Sequence, residues 1–222
     1  MARFTQAAGI VLTVKSEESR DRDGAAAFLK LAEVVPDYVI CTDTGKGGST
    51  LEEAPRLAFL TMQPEGTAIL GALLVTNHWG RPLEFHITQP VQPTKLQQIL
   101  YGPTLQTYLY CEVLGKALLD KADQSVHLLM TDFAEVLRCT LTTACPVIYV
   151  SSGTEAEVEA QLLEGQAERG YRLYLAPGPA DSFEAASRIL RQLHGLDLLE
   201  PFERIREALR ESRRLGVIAR AA

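Results

Sequence analysis

The sequence predicts a mixed α/β fold in which three antiparallel strands are followed by parallel strands with helices between them. Three apolar runs, at residues 57–62, 68–76 and 83–88, follow one another with only short turns between them. Two further apolar runs, at 126–130 and 145–150, adjoin segments with helical spacing. Short turns join antiparallel strands, whereas buried apolar strands joined through helices are typical of parallel pairing.

The antiparallel meander is predicted from its turns and from residue alternation. Pro64 and Gly66 mark the first turn, and residues 77–80 form the second. In the third strand apolar and polar residues alternate, which predicts one apolar and one polar face. Glu84 and His86 lie on the polar face, and we expect both side chains to be solvated on a strand at the sheet edge.

Helices are predicted from caps and from apolar spacing. Thr94 can cap a short helix through residue 100, a longer helix covers about 104–121, and another covers 133–138. After residue 150, alternating strand and helix patterns predict a parallel βαβα-type C-terminal extension, with a helix over 154–168 and a strand over 171–175.

A terminal amphipathic helix is predicted over about 198–214. One face carries an apolar seam, which consists of Leu198, Phe202, Ile205 and Leu209. Two interpretations stay open: the seam docks on its own domain, or it binds a partner or another subunit.

The predicted organisation has four parts. Residues 1–41 form an N-terminal strand and helix segment, 42–56 a linker, 57–150 the core, and 151–222 an extension packed on the core. The linker resembles a phosphate-binding loop, but Lys46 is followed by glycine rather than by the Ser or Thr that such a loop requires. We therefore interpret it as a connector.

Composition excludes several classes of protein. The 222 residues are 46% hydrophobic and 23% charged, values typical of a globular protein, and the net charge of −6 disfavours a dedicated nucleic-acid binder. No apolar run approaches the roughly 20 residues needed to span a bilayer, so we expect no membrane association and a cytoplasmic location. The four cysteines lack zinc-site spacing and are expected to be reduced: Cys41, Cys111, Cys139 and Cys145.

Residues 126–136, Val-His-Leu-Leu-Met-Thr-Asp-Phe-Ala-Glu-Val, resemble the fourth strand of the ribonuclease H-like fold, which ends in Thr-Asp and enters a helix at once. The strand at 71–75 and the turn at 80–81 are similar to the second strand of that family and the turn after it. The resemblance covers about residues 57–150. It implies metal-assisted attack of water on a phosphodiester, with two Mg²⁺ ions about 4 Å apart between carboxylates.

The chain departs from the carboxylate pattern of the family. Asp132 matches the aspartate that ends the fourth strand. Glu112 lies on the matching helix, although the family spacing falls nearer Tyr110. The first strand carries no carboxylate, and Glu65 in the following turn is expected to be poorly held, so the resemblance implies the fold without its bridging ligand.

Asp132 itself has two interpretations. As the N-cap of the helix that begins at Phe133, with Glu135 at the third helical position, it is satisfied structurally. As a metal ligand it would share the site with Glu112 and Glu135.

Three functional hypotheses follow. The first is a non-catalytic ribonuclease H-like protein without a cofactor, which binds another protein or a second copy through the terminal helix or an edge strand. The second is a metal-dependent nuclease or phosphotransfer enzyme that uses Mg²⁺ at Asp132, Glu112 and Glu135. The third is a nucleotide- or anion-binding protein, in which Ser151-Ser152-Gly153 opens a helix N-terminus toward the anion.

Overall fold

A computed structural model describes residues 10–15, 54–138, 145–151, 161–162, 171–193 and 195–216, with the backbone alone for 10–15 and 161–162. The linker segment around Lys46, the residues Ser152 and Gly153, and the cysteines Cys41 and Cys139 lie outside these ranges. The helix predicted within the N-terminal segment, residues 1–41, lies outside them as well.

The described strands form one mixed sheet. They are β1 (Ile10–Lys15), β2 (Leu57–Glu65), β3 (Ala68–Thr76), β4 (Pro82–Thr88), β5 (Leu128–Thr131), β6 (Val147–Ser151), β7 (Gln161–Leu162) and β8 (Arg172–Leu175). Their order across the sheet is β1-β4-β3-β2-β5-β6-β8-β7. Strands β4, β3 and β2 are antiparallel, and β2, β5 and β6 are parallel. This confirms the predicted fold class, with its ribonuclease H-like sheet of antiparallel and then parallel strands.

Strand β4 is not at the edge of the sheet. Strand β1 pairs with it in antiparallel fashion, and Thr13 lies opposite His86. The N-terminal segment therefore contributes a strand to the same sheet as the core.

The C-terminal strands pair differently from the prediction. Strand β8 runs antiparallel to β6, with Tyr174 opposite Tyr149, and not parallel to it. An antiparallel neighbour requires no helical crossover. Gln161–Leu162, which lie within the predicted helix 154–168, instead form the short strand β7 against β8.

The described helices are α1 (Lys95–Tyr101), α2 (Leu105–Tyr108), α3 (Lys116–Leu119), α4 (Ser182–Gln192) and α5 (Glu200–Arg214). A π-helical segment, Leu109–Gly115, joins α2 to α3, and short 3₁₀ turns occur at Gly102–Thr104 and Ala134–Arg138. The predicted long helix is therefore present but is π-helical at its centre. No helix within the described ranges is long and apolar enough to cross a membrane.

Two apolar clusters cover the two faces of the sheet. On one face α4 and α5 pack on β2, β3, β5 and β6, and Phe202 meets Phe59 edge to face with centroids 5.4 Å apart. On the other face the helical segment from Leu105 to Leu119 packs on the same central strands. The central strands are therefore buried on both sides, as their continuous apolar runs indicate.

The seam of α5 belongs to the core of its own chain. Its four residues are only 1–2% exposed: Leu198, Phe202, Ile205 and Leu209. The prediction of these residues as a partner-binding surface is therefore corrected, because burying them against the sheet leaves no apolar face of α5 for another protein. The alternative interpretation, a helix docked on its own domain, describes α5.

The cysteines are not all reduced. Cys111, on the π-helical segment, is disulfide-bonded, whereas Cys145 is in no disulfide. The expectation of reduced thiols is wrong for Cys111, since scattered cysteine spacing in a sequence does not show which residues meet in space.

Candidate functional site

The candidate site is the corner at which the carboxyl end of β5 lies beside the middle of its parallel neighbour β2. Leu60 pairs with Thr131 across these two parallel strands. The residues that follow are Thr61, in the middle of β2, and Asp132, directly after β5. The carboxyl ends of parallel strands are a common place for functional side chains, because successive loops leave the sheet there.

The Asp132 carboxylate is paired with a guanidinium group from α5. Its Oδ2 accepts a hydrogen bond from Arg206 Nη2, and its side chain is only 10% exposed. Arg206 also donates from Nη1 to Glu203 Oε1 at 2.6 Å. The cation therefore lies between two carboxylates and holds the terminal helix against the strand ends.

Burial dominates the titration of Asp132 and raises its pKa above the ordinary aspartate value. The Thr61 hydroxyl and the Arg206 charge favour the ionised form and oppose this shift, while Glu203 adds to it. Among the described residues, Asp132 Oδ1 makes no hydrogen bond within ordinary geometric limits. One oxygen of the carboxylate therefore pairs with a cation, and the other is buried without a hydrogen bond from the described residues.

Asp132 does not cap the turn that follows β5. The backbone N–H of Phe133 donates to Thr131 Oγ1 at 3.2 Å. As an N-cap, Asp132 would instead accept from the backbone N–H of Ala134 or Glu135, but its carboxylate pairs with Arg206. The Asp132 side chain is free to pair with α5 because its neighbour takes the capping role.

The structure does not bring Glu112 to Asp132. Glu112 is exposed on the π-helical segment, which packs on the face of the sheet opposite α5. The matching helical position is Tyr110, which is buried beneath the sheet and meets Phe133 edge to face at 5.4 Å. Burial raises the Tyr110 pKa; a hydrogen bond from Gln106 opposes this shift, and the charge of Glu135 adds to it.

Glu65 is better held than predicted. It is the last residue of β2 rather than part of the turn, and Arg213 of α5 forms an ion pair with it. It lies four positions after Thr61, a distance of about 13 Å at the usual rise per strand residue. Glu65 therefore cannot supply the missing carboxylate at the Asp132 corner.

Glu84 and His86 are buried rather than solvated. Their side chains are 1% and 0% exposed, and His86 Nε2 lies 2.7 Å from Glu84 Oε2. The backbone amides of Asp123 and Gln124 donate to the same carboxylate at 3.1 and 3.0 Å. The prediction was wrong because β1 makes β4 an internal strand, and because α3 and the loop after it cover its polar face.

The residues at the corner do not fit a pair of divalent cations. Two such ions require several negative oxygens, and the side chains that meet here are the neutral Thr61 hydroxyl and the carboxylates of Asp132 and Glu203, both of which already pair with Arg206. Throughout the part of the chain that the structure describes, no three His, Cys, Asp or Glu side chains form a group that could hold a metal ion. A guanidinium group beside Asp132 also repels an incoming cation.

Several solved structures share a distant likeness with this chain, among them an endonuclease. The crystal structure of an endonuclease V from Bacillus subtilis superposes with a TM-score of 0.37 and 11% sequence identity, over 62% of this chain and 70% of that chain. A likeness at this level carries no argument about activity. No protein family and no curated protein matches the sequence.

Sequence reasoning did not identify Thr61 and Arg206 as members of the site. Thr61 is one uncharged residue in an apolar strand, and Arg206 is one of several arginines on α5. The only available signal for Arg206 was its place directly after Ile205, at the border of the buried seam.

Proposed function

We propose that this chain is a non-catalytic ribonuclease H-like protein that acts by binding, as an interaction or assembly module. One observation carries the proposal: the carboxylate that matches the family motif is occupied by Arg206 of the chain's own terminal helix. The Arg206 side chain balances the charge of Asp132, so this carboxylate is not available as one of a set of metal ligands.

The proposal is tested by a cleavage assay with Asp132→Asn as the matched control. Full-length protein and the variant are purified in parallel and incubated with single-stranded RNA, duplex DNA and an RNA–DNA hybrid, each with Mg²⁺ and with Mn²⁺. We expect equal background cleavage from both proteins. Metal-dependent cleavage that Asp132→Asn abolishes would refute the proposal.

Arg206→Ala provides a second measurement on the same site. If Asp132 were a metal ligand whose site Arg206 blocks, removal of the guanidinium group would allow Mn²⁺ to bind, and a calorimetric titration would detect the heat. We expect no heat of binding from either the wild type or the variant, because no third His, Cys, Asp or Glu among the described residues joins Asp132 and Glu203 in a group that could hold a metal ion.

A metal-dependent nuclease or phosphotransfer enzyme, with Asp132, Glu112 and Glu135 as ligands, is the second candidate. The observation in its favour is the buried Asp132 Oδ1, which lacks a good hydrogen bond among the described residues and could accept one from water or bind a cation. It predicts the opposite result in the cleavage assay, and movement of α5 away from the strand ends would be required.

A further inference from the structure

Helix α1 exposes an apolar face that the rest of the described chain does not cover. It has no buried residue, and Leu96, Ile99 and Leu100 are 54%, 67% and 69% exposed. Residues separated by three and four positions share one side of a helix. Together with Tyr101, whose ring lies 4.6 Å from that of Tyr108, these side chains form the α1 patch.

The α1 patch is unusual within the described surface. Six large hydrophobic side chains are exposed there, and four of them belong to this patch. The other two, Trp79 in the turn before β4 and Leu215 after α5, lie on separate elements. Single exposed apolar residues are normal, whereas a contiguous group marks a contact surface.

The helix that carries the patch is well anchored. Thr94 and Gln97 form a reciprocal capping box at its N-terminus. The segment before it is fixed to β3, since Ile69 and Val91 exchange two backbone hydrogen bonds of 2.9 and 2.8 Å. A rigid surface loses little conformational entropy on association, so the patch is preorganised for binding.

The charge around the patch favours a second copy of the same chain. Between Thr88 and Cys111 the only charged residue is Lys95, although the chain as a whole has a net charge of −6. In a two-fold interface the same patch of both copies comes together, so a patch with several charges of one sign would repel its copy. The polar residues here are Gln, Thr and Tyr, which donate and accept hydrogen bonds at once and so are self-complementary.

The size of the patch also suits a dimer. Four side chains of this size at these exposures present roughly 450 Å² of apolar surface, within the range of functional patches. A standard interface takes about 800 Å² from each partner, with an apolar centre and a polar rim. The α1 patch supplies that centre, and its glutamines and threonines supply part of the rim.

We propose that the α1 patch is the surface through which two copies of this chain associate about a two-fold axis. The inference rests on the proposed function, because it specifies the partner of a chain that acts by binding. It differs from association through the apolar seam of α5, which the core of the chain itself occupies.

The test is sedimentation equilibrium of the full chain, of Ile99→Glu and of Leu215→Glu. Leu215 is 51% exposed and lies outside the patch, so its variant is the matched control. We expect a dimer for the wild type and for Leu215→Glu, and a dimer dissociation constant at least about 30-fold higher for Ile99→Glu, as for a central interface residue. Because Ile99 is exposed in the single chain, thermal unfolding of Ile99→Glu should match that of the wild type at a protein concentration low enough for both to be monomers.

Three outcomes would overturn the inference: a wild-type monomer at the highest soluble concentration, a dimer that Ile99→Glu leaves intact, or one that both variants disrupt equally. None of these bears on nuclease activity. Conversely, Asp132-dependent cleavage would remove the proposed function whatever the sedimentation result. The two failures can therefore be told apart.

Discussion

At the scale of single residues, Glu84 shows how a buried charge is accommodated. Its carboxylate faces His86 Nε2 and two backbone amides, those of Asp123 and Gln124, so one side chain ties β4 to the loop that leads into β5. A buried carboxylate is tolerated only when its oxygens are hydrogen-bonded. We infer that this network holds the loop in register with the sheet.

Replacement of Glu84 by Gln should destabilise the fold by about 2–4 kcal/mol at neutral pH. An amide has only one acceptor oxygen, so one of the two backbone N–H groups would face the NH₂ group of the new side chain. The free energy of unfolding, measured by urea titration, checks this. Glu112→Gln, at an exposed site, is the control and should change it by less than about 0.5 kcal/mol.

The same substitution should alter the pH dependence of stability. Burial alone raises the Glu84 pKa, but the His86 hydrogen bond and charge and the two backbone amides outweigh burial and lower the pKa below its ordinary value of 4.5. A lowered folded-state pKa adds stability above the unfolded value, and this stability is lost as pH falls through the folded pKa. The gap between wild type and Glu84→Gln should therefore narrow below pH 4.5; a constant gap would contradict the assignment.

At the scale of elements, Gly71 sets how closely the helical segment from Leu105 to Leu119 approaches β3. A Cβ atom at this position would lie 2.9 Å from Leu118 Cδ1 and 3.2 Å from Leu114 Cβ. Both distances are shorter than ordinary carbon contacts. The absence of a side chain is therefore what allows the helix to pack directly on the strand.

Gly71→Ala and Gly71→Val should both lower the free energy of unfolding, and valine should lower it more. The methyl group of alanine can displace the flexible end of Leu118, whereas valine also presses on the helix near Leu114 and should cost about 1–3 kcal/mol. Urea unfolding of both variants measures the series. Equal stability of the valine variant and the wild type would show that the helix is not closely packed at this point.

At the scale of the whole molecule, α5 closes one face of the sheet and is held at three separate points. Arg204 donates to the Gly80 carbonyl oxygen at 2.9 Å, Arg206 pairs with Asp132, and Arg213 pairs with Glu65. Beneath the helix, Phe202 and the rest of the apolar seam fill the core. The terminal helix is therefore an integral part of the domain.

A chain that ends at Gly195 should not fold cooperatively. It would lack α5, so the apolar residues of β2, β3 and β5 on that face would be exposed to water. We expect binding of a hydrophobic dye and loss of a sharp thermal transition, whereas the full-length chain unfolds cooperatively. A compact truncated protein with a single sharp transition would show that the face is closed in another way.

The sequence alone determined the features that depend on near neighbours along the chain. Apolar runs and turns predicted strands β2 to β6 in order, and Thr94 with residues 94–100 predicted α1, because strand periodicity and helix capping act within a few residues. The Thr-Asp sequence at the end of β5 likewise predicted that Asp132 lies at an end of the sheet.

Only the tertiary structure decided what those side chains meet. The partner of Asp132 is 74 residues further along the chain, Glu84 is buried by a loop about 40 residues away, and β1 joins β4 from the distant N-terminus. Burial and ion pairing depend on which surfaces pack together, and residue alternation shows which face is polar without showing what covers it. The sequence of α5 was also ambiguous, because its apolar seam could have packed on a partner or on its own core. The structure shows that the seam packs on the sheet of its own chain.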